Sequence, residues 1–254
     1  MTNKYNLTDK VAIITGGGKG IGKAIALGLA GCGVKVVLAA RDKAALDQVA
    51  DEIKQKGGES LAHVVDLMDG AQIDKLVETA VNTYGRIDIL INNAARSYLR
   101  PLMDLREDGW DKIFGTNCKA VFLLSRDVAR VMKEKGGGRI INITTIGAVR
   151  GGAGMAAYHA SKAALSMLTK CMAVEWASMN INVNAVGPGI TRTAFSQPLW
   201  QNPEMEKMIT GKIPKGKIAE PDDIVGPVLF LCSKDADYIT GETIYVDGGA
   251  LANY

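Results

Sequence analysis

Val11-Ala-Ile-Ile-Thr-Gly-Gly-Gly-Lys-Gly-Ile-Gly22 is the stretch from which the fold can be read. Val11–Ile14 is a short unbroken apolar run, the pattern of a strand buried on both faces. Gly16, Gly20 and Gly22 then punctuate a turn with G-x-x-x-G-x-G spacing, and the apolar-periodic segment Lys23–Gly33 follows. Strand, glycine turn and helix in that order make a dinucleotide-binding candidate rather than a merely flexible turn. Glycines let the backbone approach a pyrophosphate, whose charge is met by free N–H groups and the dipole at the helix start.

The same alternation continues outward from this unit. Val34–Ala40 reads as a second strand ending in Arg41-Asp42, and residues 42–56 as a helix. A third strand, Ser60–Val65, leads into Asp66-Leu67, where Asp66 could equally cap the next helix, residues 71–84. Ile87–Ile91 is the fourth strand, ending in Asn92-Asn93-Ala94-Ala95, and Trp110–Lys135 reads as one long helix carrying Asn117. Asparagine is poorly favoured mid-helix unless something uses it. Gly138–Ile143, Ile181–Val186 and Thr243–Val246 complete seven strands. The prediction is a single α/β domain, Rossmann-type: a right-handed, doubly wound parallel seven-stranded sheet ordered 3-2-1-4-5-6-7, with ligands at the C-terminal strand ends.

Composition excludes several function classes. The 254 residues carry a formal charge of only +3, spread along the chain, so no basic tract of the kind that tracks nucleic acid is present. No apolar run is long enough to span a bilayer, and MTNKYNLTDK at the start lacks an apolar leader. Cys32, Cys118, Cys171 and Cys232 are scattered with no CxxC, which predicts reduced thiols and a cytoplasmic protein. His63 and His159 have no metal-ligand spacing, and no metal site is expected.

The chemistry is expected near residues 144–162. Tyr158 and Lys162 are four residues apart in helix-favouring sequence, so both project from one helix face. At about 4 Å and an effective dielectric near 20, an ammonium attracts a phenolate by roughly 4 kcal/mol. That predicts a phenol drawn from its usual value towards neutrality, usable as a general acid/base. Thr145 lies thirteen residues earlier, past the fifth strand, where the glycine-rich loop can return its hydroxyl to the phenol.

The glycine spacing together with Tyr158-x-x-x-Lys162 resembles the short-chain dehydrogenase/reductase family over nearly the whole chain. The resemblance implies reversible hydride transfer between nicotinamide and a carbonyl or secondary alcohol, with Tyr158 moving the proton. It also implies that Thr145 positions the substrate oxygen, that Lys162 lowers the phenol pKa and binds ribose hydroxyls, and that Asn117 supports a proton relay at a local kink. Cofactor contacts are implied along the loop at Thr15, Gly16, Gly18, Lys19, Gly20, Ile21 and Gly22. Asp66 and Leu67 belong at the adenine edge, and Asn92 and Ala94 along the cofactor with Asn93 supporting the sheet. Pro188, Gly189, Thr191 and Thr193 belong at the carboxamide. A homotetramer is implied as well.

The chain departs from the family at Thr145, where serine is usual, and at Ala95, where glycine is usual. A threonine hydroxyl can still polarise a carbonyl, while its methyl restricts χ1 beside the substrate. NAD-preferring relatives place an acid where this chain has Ala40. With Arg41 and Lys19 nearby, two cations suit a ribose phosphate, and NADP(H) is expected over NAD(H).

Residues 190–217 are expected to form a substrate lid, with Phe195, Leu199, Trp200, Met205, Met208 and Ile209 as its apolar face. Arg96, Arg150 and Arg192 fall in loops at the C-terminal sheet edge, which predicts a substrate with an apolar body and an anionic group. Two other readings stay open. The chain broadly resembles 3-oxoacyl carrier-protein reductases, though Val174 stands where those often carry an arginine. A non-catalytic nucleotide sensor or scaffold is the third.

Overall fold

The computed structural model describes residues 5–253. Its seven parallel strands lie in the order β3-β2-β1-β4-β5-β6-β7, as the alternation predicted. The strands are β1 (Val11–Thr15), β2 (Lys35–Ala40), β3 (Ser60–Val64), β4 (Ile89–Asn92), β5 (Gly138–Ile143), β6 (Ile181–Pro188) and β7 (Thr243–Val246). β1 pairs on one side with β2, Val11 opposite Lys35, and on the other with β4, Ala12 opposite Ile89. The connection reverses between β1 and β4, which opens a crevice at their C-terminal ends.

Successive residues of β1 serve opposite faces, as the two-residue period of a strand requires. Ile14 packs with Ile25 and Leu29 of α1 (Gly20–Gly31), Leu46 of α2 (Lys43–Gln55) and Val228 of α8 (Val225–Cys232). Ile13 packs on the other side with Ile73 and Leu76 of α3 (Gly70–Tyr84), Leu124 of α5 (Ala120–Glu134) and Met172 of α6 (Ala156–Trp176). These two layers bury both faces of the sheet, so its central strands read as continuous apolar runs.

Several boundaries differ from expectation by a residue or more, and three have plain local reasons. β4 begins at Ile89 because Asp88 turns its carboxylate to the Val11 N–H at 3.0 Å and to Lys10 and Arg86. β6 runs two residues further, because Gly187 and Pro188 pair with Tyr245 and Val246 of β7. The long helix begins at Glu107 and is broken into α4 (Glu107–Phe114), a π turn (Gly115–Lys119) and α5. Such single-turn π insertions commonly mark functional sites. Among the described residues, no helix is long and apolar enough to cross a membrane.

Candidate active site

A cavity of about 860 Å³ opens where the C-terminal ends of β1 through β6 deliver their loops. Its floor at β1 is the glycine turn, and glycine is required there by space and by backbone. Gly16 and Gly20 have φ of +67° and +53°. A Cβ on Gly16 would sit 2.8 Å from Asn93 Nδ2, and one on Gly22 would sit 2.2 Å from the Gly16 carbonyl oxygen. Gly16, Gly18, Gly20, Lys19 and Ile21 face the cavity. Gly22 and Thr15 lie behind the loop, off the cavity wall. Thr15 Oγ1 instead donates to Ile91 O at 3.3 Å and accepts from the N–H groups of Asn93 and Ala94 at 3.0 and 3.1 Å. It clips the β1 turn to the β4 turn, so its hydroxyl supports the loop rather than facing the cavity.

The loops after β2 and β3 line one side of the switch point. Asp66 and Leu67 both border the cavity. The Asp66 carboxylate accepts from Met68 N at 3.0 Å, whereas Asp69 caps α3. Arg41 stands exposed at the lip, with no ion pair among the described residues. Lys19 is engaged: its Nζ donates to Asp42 at 2.7 Å, and this bond holds the Asp42 carboxyl below its ordinary value. Asp42 also caps α2 through Ala45 N at 3.1 Å. Of the two expected cations, Arg41 alone is without a carboxylate partner.

The β4 turn reverses an expectation. Asn92 is 2% exposed and points away from the cavity, its Nδ2 donating to Ser125 Oγ and Asn142 Oδ1, both at 2.9 Å. Asn93 borders the cavity beside Ala94, its Nδ2 donating to Thr15 O at 3.0 Å. The asparagine expected along the cofactor thus supports the sheet, and its neighbour occupies the wall. Asn117, fully buried in the π turn, also stays off the wall. It clasps the backbone of Arg96, accepting from its N–H at 2.8 Å and donating to its carbonyl at 3.0 Å, and donates to Ser161 Oγ at 2.9 Å. The preceding Thr116 reaches the cavity.

Across the switch point, Thr145, Tyr158 and Lys162 share the cavity wall. Lys162 Nζ is buried and donates to the Ile143 carbonyl at 2.7 Å, at the C-terminal end of β5. Burial pulls its pKa down to about 8. Tyr158 is pushed up to about 12 by burial, and a hydrogen bond with Thr145 pulls the other way. The expected lowering of the phenol by Lys162 is not seen: burial dominates both shifts, and Lys162 Nζ gives one of its three N–H donors to the Ile143 carbonyl. Thr145 Oγ1 accepts from Gly147 N at 3.3 Å and lies 3.4 Å from Pro188 O, which ties it to the end of β6. Pro188, Gly189, Thr191 and Thr193 follow along the same wall, and a Cβ on Gly20 would meet the Thr193 methyl at 3.0 Å.

Sequence reasoning missed His159. Its ring fills the space left by Gly147 and Gly152, where a Cβ would come within 2.4 and 2.6 Å of it. Its buried Nδ1 has no hydrogen-bond partner, and burial followed by the Arg150 charge lowers its pKa. Among the three expected arginines, Arg96 and Arg150 border the cavity without an ion pair among the described residues. Arg192 does not border it and is held by Glu206 and Glu220, because carboxylates 14 and 28 residues away fold back onto it. The residue set fits a dinucleotide: a side-chain-free cradle at a helix start, an acid and a cation where β2 and β3 end, and a buried lysine beyond the switch point.

A family model described as enoyl-(acyl carrier protein) reductase matches residues 16–250. Dehydrogenase/reductase SDR family member 4 of Oryctolagus cuniculus is 39% identical over 251 residues, covering 98% of this chain and 96% of that protein. The 2-dehydro-3-deoxy-D-gluconate 5-dehydrogenase of Dickeya dadantii is 40% identical over 253 residues, covering 98% of each. A solved structure from Beutenbergia cavernae, described as an NAD(P)-dependent gluconate 5-dehydrogenase with NADP at low occupancy, matches with a TM-score of 0.94 at 38% identity, covering 98% of this chain and 99% of that one. Seven parallel strands in this order, a glycine cradle and these full-length similarities place the chain in the short-chain dehydrogenase/reductase family, as an NAD(P)-dependent oxidoreductase acting on CH–OH groups.

Proposed function

We propose that the protein uses NADP(H) to interconvert a carbonyl and a secondary alcohol on a small substrate with an apolar body and an anionic group. The observation that carries this reading is the meeting of Thr145, Tyr158 and Lys162 on the wall of the cavity that also holds the glycine cradle. When bound, the nicotinamide supplies or accepts the hydride. Tyr158 holds the proton at its phenol oxygen and passes it to the substrate oxygen, which Thr145 orients by its hydroxyl. Burial raises the phenol, so it holds its proton at neutral pH and has it available for the oxygen of a carbonyl substrate. Lys162 binds ribose hydroxyls and keeps positive charge near the reacting oxygen. Asn117 acts through others, holding the Arg96 backbone and Ser161 in place.

Arg41 at the lip and Ala40 in place of an acid support NADP(H), as does the NADP carried by the Beutenbergia cavernae structure. The loop contacts are assigned to Gly16, Gly18, Gly20 and Ile21, with Gly22 and Thr15 shaping the loop from behind. Arg96 and Arg150 are assigned to the anionic group, and Phe195, Leu199 and Ile209 of the lid, residues 190–217, to the apolar body. The Dickeya dadantii relative is named for a sugar acid, which agrees with such a substrate. Exposed Phe122 on α5 and exposed Met167 and Val174 on α6 offer an apolar face to further copies, in keeping with a homotetramer. Val174, where carrier-protein reductases often carry an arginine, weighs against the carrier-protein reading. The thiols are free, which suits a reducing, cytoplasmic setting.

Steady-state assays with NADPH and NADH against neutral ketones, oxo acids and an acetoacetyl thioester test the reading. A charge-assisted hydrogen bond contributes about 1.5–3 kcal/mol, so Arg41→Ala should weaken NADPH by about tenfold or more and leave NADH unchanged. Oxo acids should outperform neutral ketones. Preference for NADH by the wild type, or equal weakening of both cofactors, would show that Arg41 meets no phosphate.

A further inference from the structure

The chain leaves the sheet after β6 and returns to its own starting point. Thr191 and Ala219 form a parallel bridge, Arg192 N donates to Ala219 O at 2.8 Å, and Ala219 N donates to Ile190 O at 3.1 Å. Residues 193–218 are therefore an excursion with a pinned neck. Phe195, Leu199, Ile209 and Ile213 from this excursion form cavity wall, and the Phe195 ring lies 5.8 Å from that of Tyr158. Within the excursion, α7 (Pro203–Thr210) has no buried residue, so core packing does not hold it.

Among the described residues, the one side-chain link from α7 to the neck is a guanidinium, while the chain after α7 is held separately by Lys215 N donating to Gly248 O at 3.1 Å. Arg192 donates from one terminal nitrogen to Glu206 on α7 at 2.6 Å and from Nε to Glu220, just past the neck, at 3.2 Å. Its carbon sits 4.9 Å from the Trp200 ring centroid. Trp200 in turn donates from Nε1 to Ser196 Oγ at 3.0 Å, and Ser196 bonds back to the Thr191 carbonyl. Arg192 thus joins α7, the turn before it and the returning strand. An arginine fork can meet two carboxylates while stacking on an aromatic ring, which a lysine cannot.

We propose that Arg192 is a positioning residue for the reaction, a charge latch that holds α7 and the Phe195 wall over the substrate end of the cavity. The catalytic consequence rests on the reading of that cavity as the active site. The Arg192, Glu206 and Glu220 side chains are 33%, 32% and 56% exposed, so the latch is open to water and weakened by salt. Those properties suit a contact that must break and re-form at each turnover. Arg192, Glu206 and Glu220 do not border the cavity and reach Tyr158 only through the Phe195 wall, so loss of the latch should alter access more than chemistry.

Limited trypsin digestion of the full chain, with the cut sites mapped by mass, reads the latch without any turnover. Arg192→Gln should cleave after Lys207 and Lys212 several-fold faster than wild type, and Arg192→Lys should fall between the two. In turnover assays Arg192→Gln should raise the substrate KM about five- to tenfold with kcat within about twofold, the mark of lost uniform binding. Wild-type KM should climb more steeply with added sodium chloride than that of Arg192→Gln, in which only the contacts to the anionic group are left to screen. Arg192→Glu combined with Glu206→Arg should recover part of the KM that Arg192→Glu loses. Wild-type cleavage rates at Lys207 and Lys212 in Arg192→Gln would overturn the latch. So would a reversal pair no better than Arg192→Glu alone. Absence of carbonyl turnover by the wild type would instead overturn the active-site reading, while the cleavage rates would still decide the latch.

Discussion

Lys162 Nζ donates a 2.7 Å hydrogen bond to the carbonyl of Ile143, the last residue of β5. That bond anchors α6 to the sheet and sets the depth at which Tyr158, one helical turn earlier, meets the cavity. It also leaves the ammonium almost wholly buried, at 2% exposure.

The sign of the pH effect follows from that burial. Lys162 falls from 10.5 to about 8 in the folded chain, so between those values the unfolded chain binds the extra proton. Stability then rises with pH across the window, by up to about 1.4 kcal/mol per unit from this group. Lys162→Met removes the group and with it the slope. Chemical denaturation of both proteins from pH 7 to 10.5 should show wild type gaining on the variant as pH rises. Parallel curves would mean that Lys162 is solvated and normal.

Thr145 carries a second expectation. Its hydroxyl accepts from Gly147 N and bonds to Tyr158, and serine can do both without the γ-methyl. Thr145→Ser should keep activity within a few-fold. Thr145→Val should lose about tenfold or more in kcat, in line with the loss of a polarising hydrogen bond. Equal activity of the two variants in a steady-state assay would show that the hydroxyl is not used.

Much of this arrangement was legible in the residues. The strand order, the glycine cradle and the convergence of Thr145, Tyr158 and Lys162 follow from periodicity, glycine spacing and the direction of parallel strands. The roles of Asn92 and Asn93 are not legible in the sequence because β4 is buried on both faces, so no polar alternation marks which asparagine points to the crevice. The lowered lysine and raised phenol escaped because spacing along a helix gives proximity, while the desolvation that decides the shift comes from the sheet and the lid. The sequence points Arg192 at an anionic substrate and hides its carboxylate partners, because Glu206 and Glu220 reach it only through the pinned neck at Thr191 and Ala219. The residues alone mark the π turn at Asn117 only as an ill-favoured asparagine in a helix, and the expectation of a kink there comes from the family resemblance, since the shift in hydrogen bonding leaves no mark in composition.

The central claim is that the Tyr158 phenol moves the proton. Tyr158→Phe keeps the ring against Phe195 and His159 and removes one hydroxyl, so the chain should fold and bind NADPH as wild type does. Its kcat for carbonyl reduction should fall by at least about a hundredfold, the usual contribution of a general acid. The deciding measurement is the single-turnover rate of NADPH oxidation with saturating carbonyl substrate, read alongside NADPH binding by fluorescence. Intact binding with that loss of rate is the result this account predicts, and a single-turnover rate within a few-fold of wild type would contradict it.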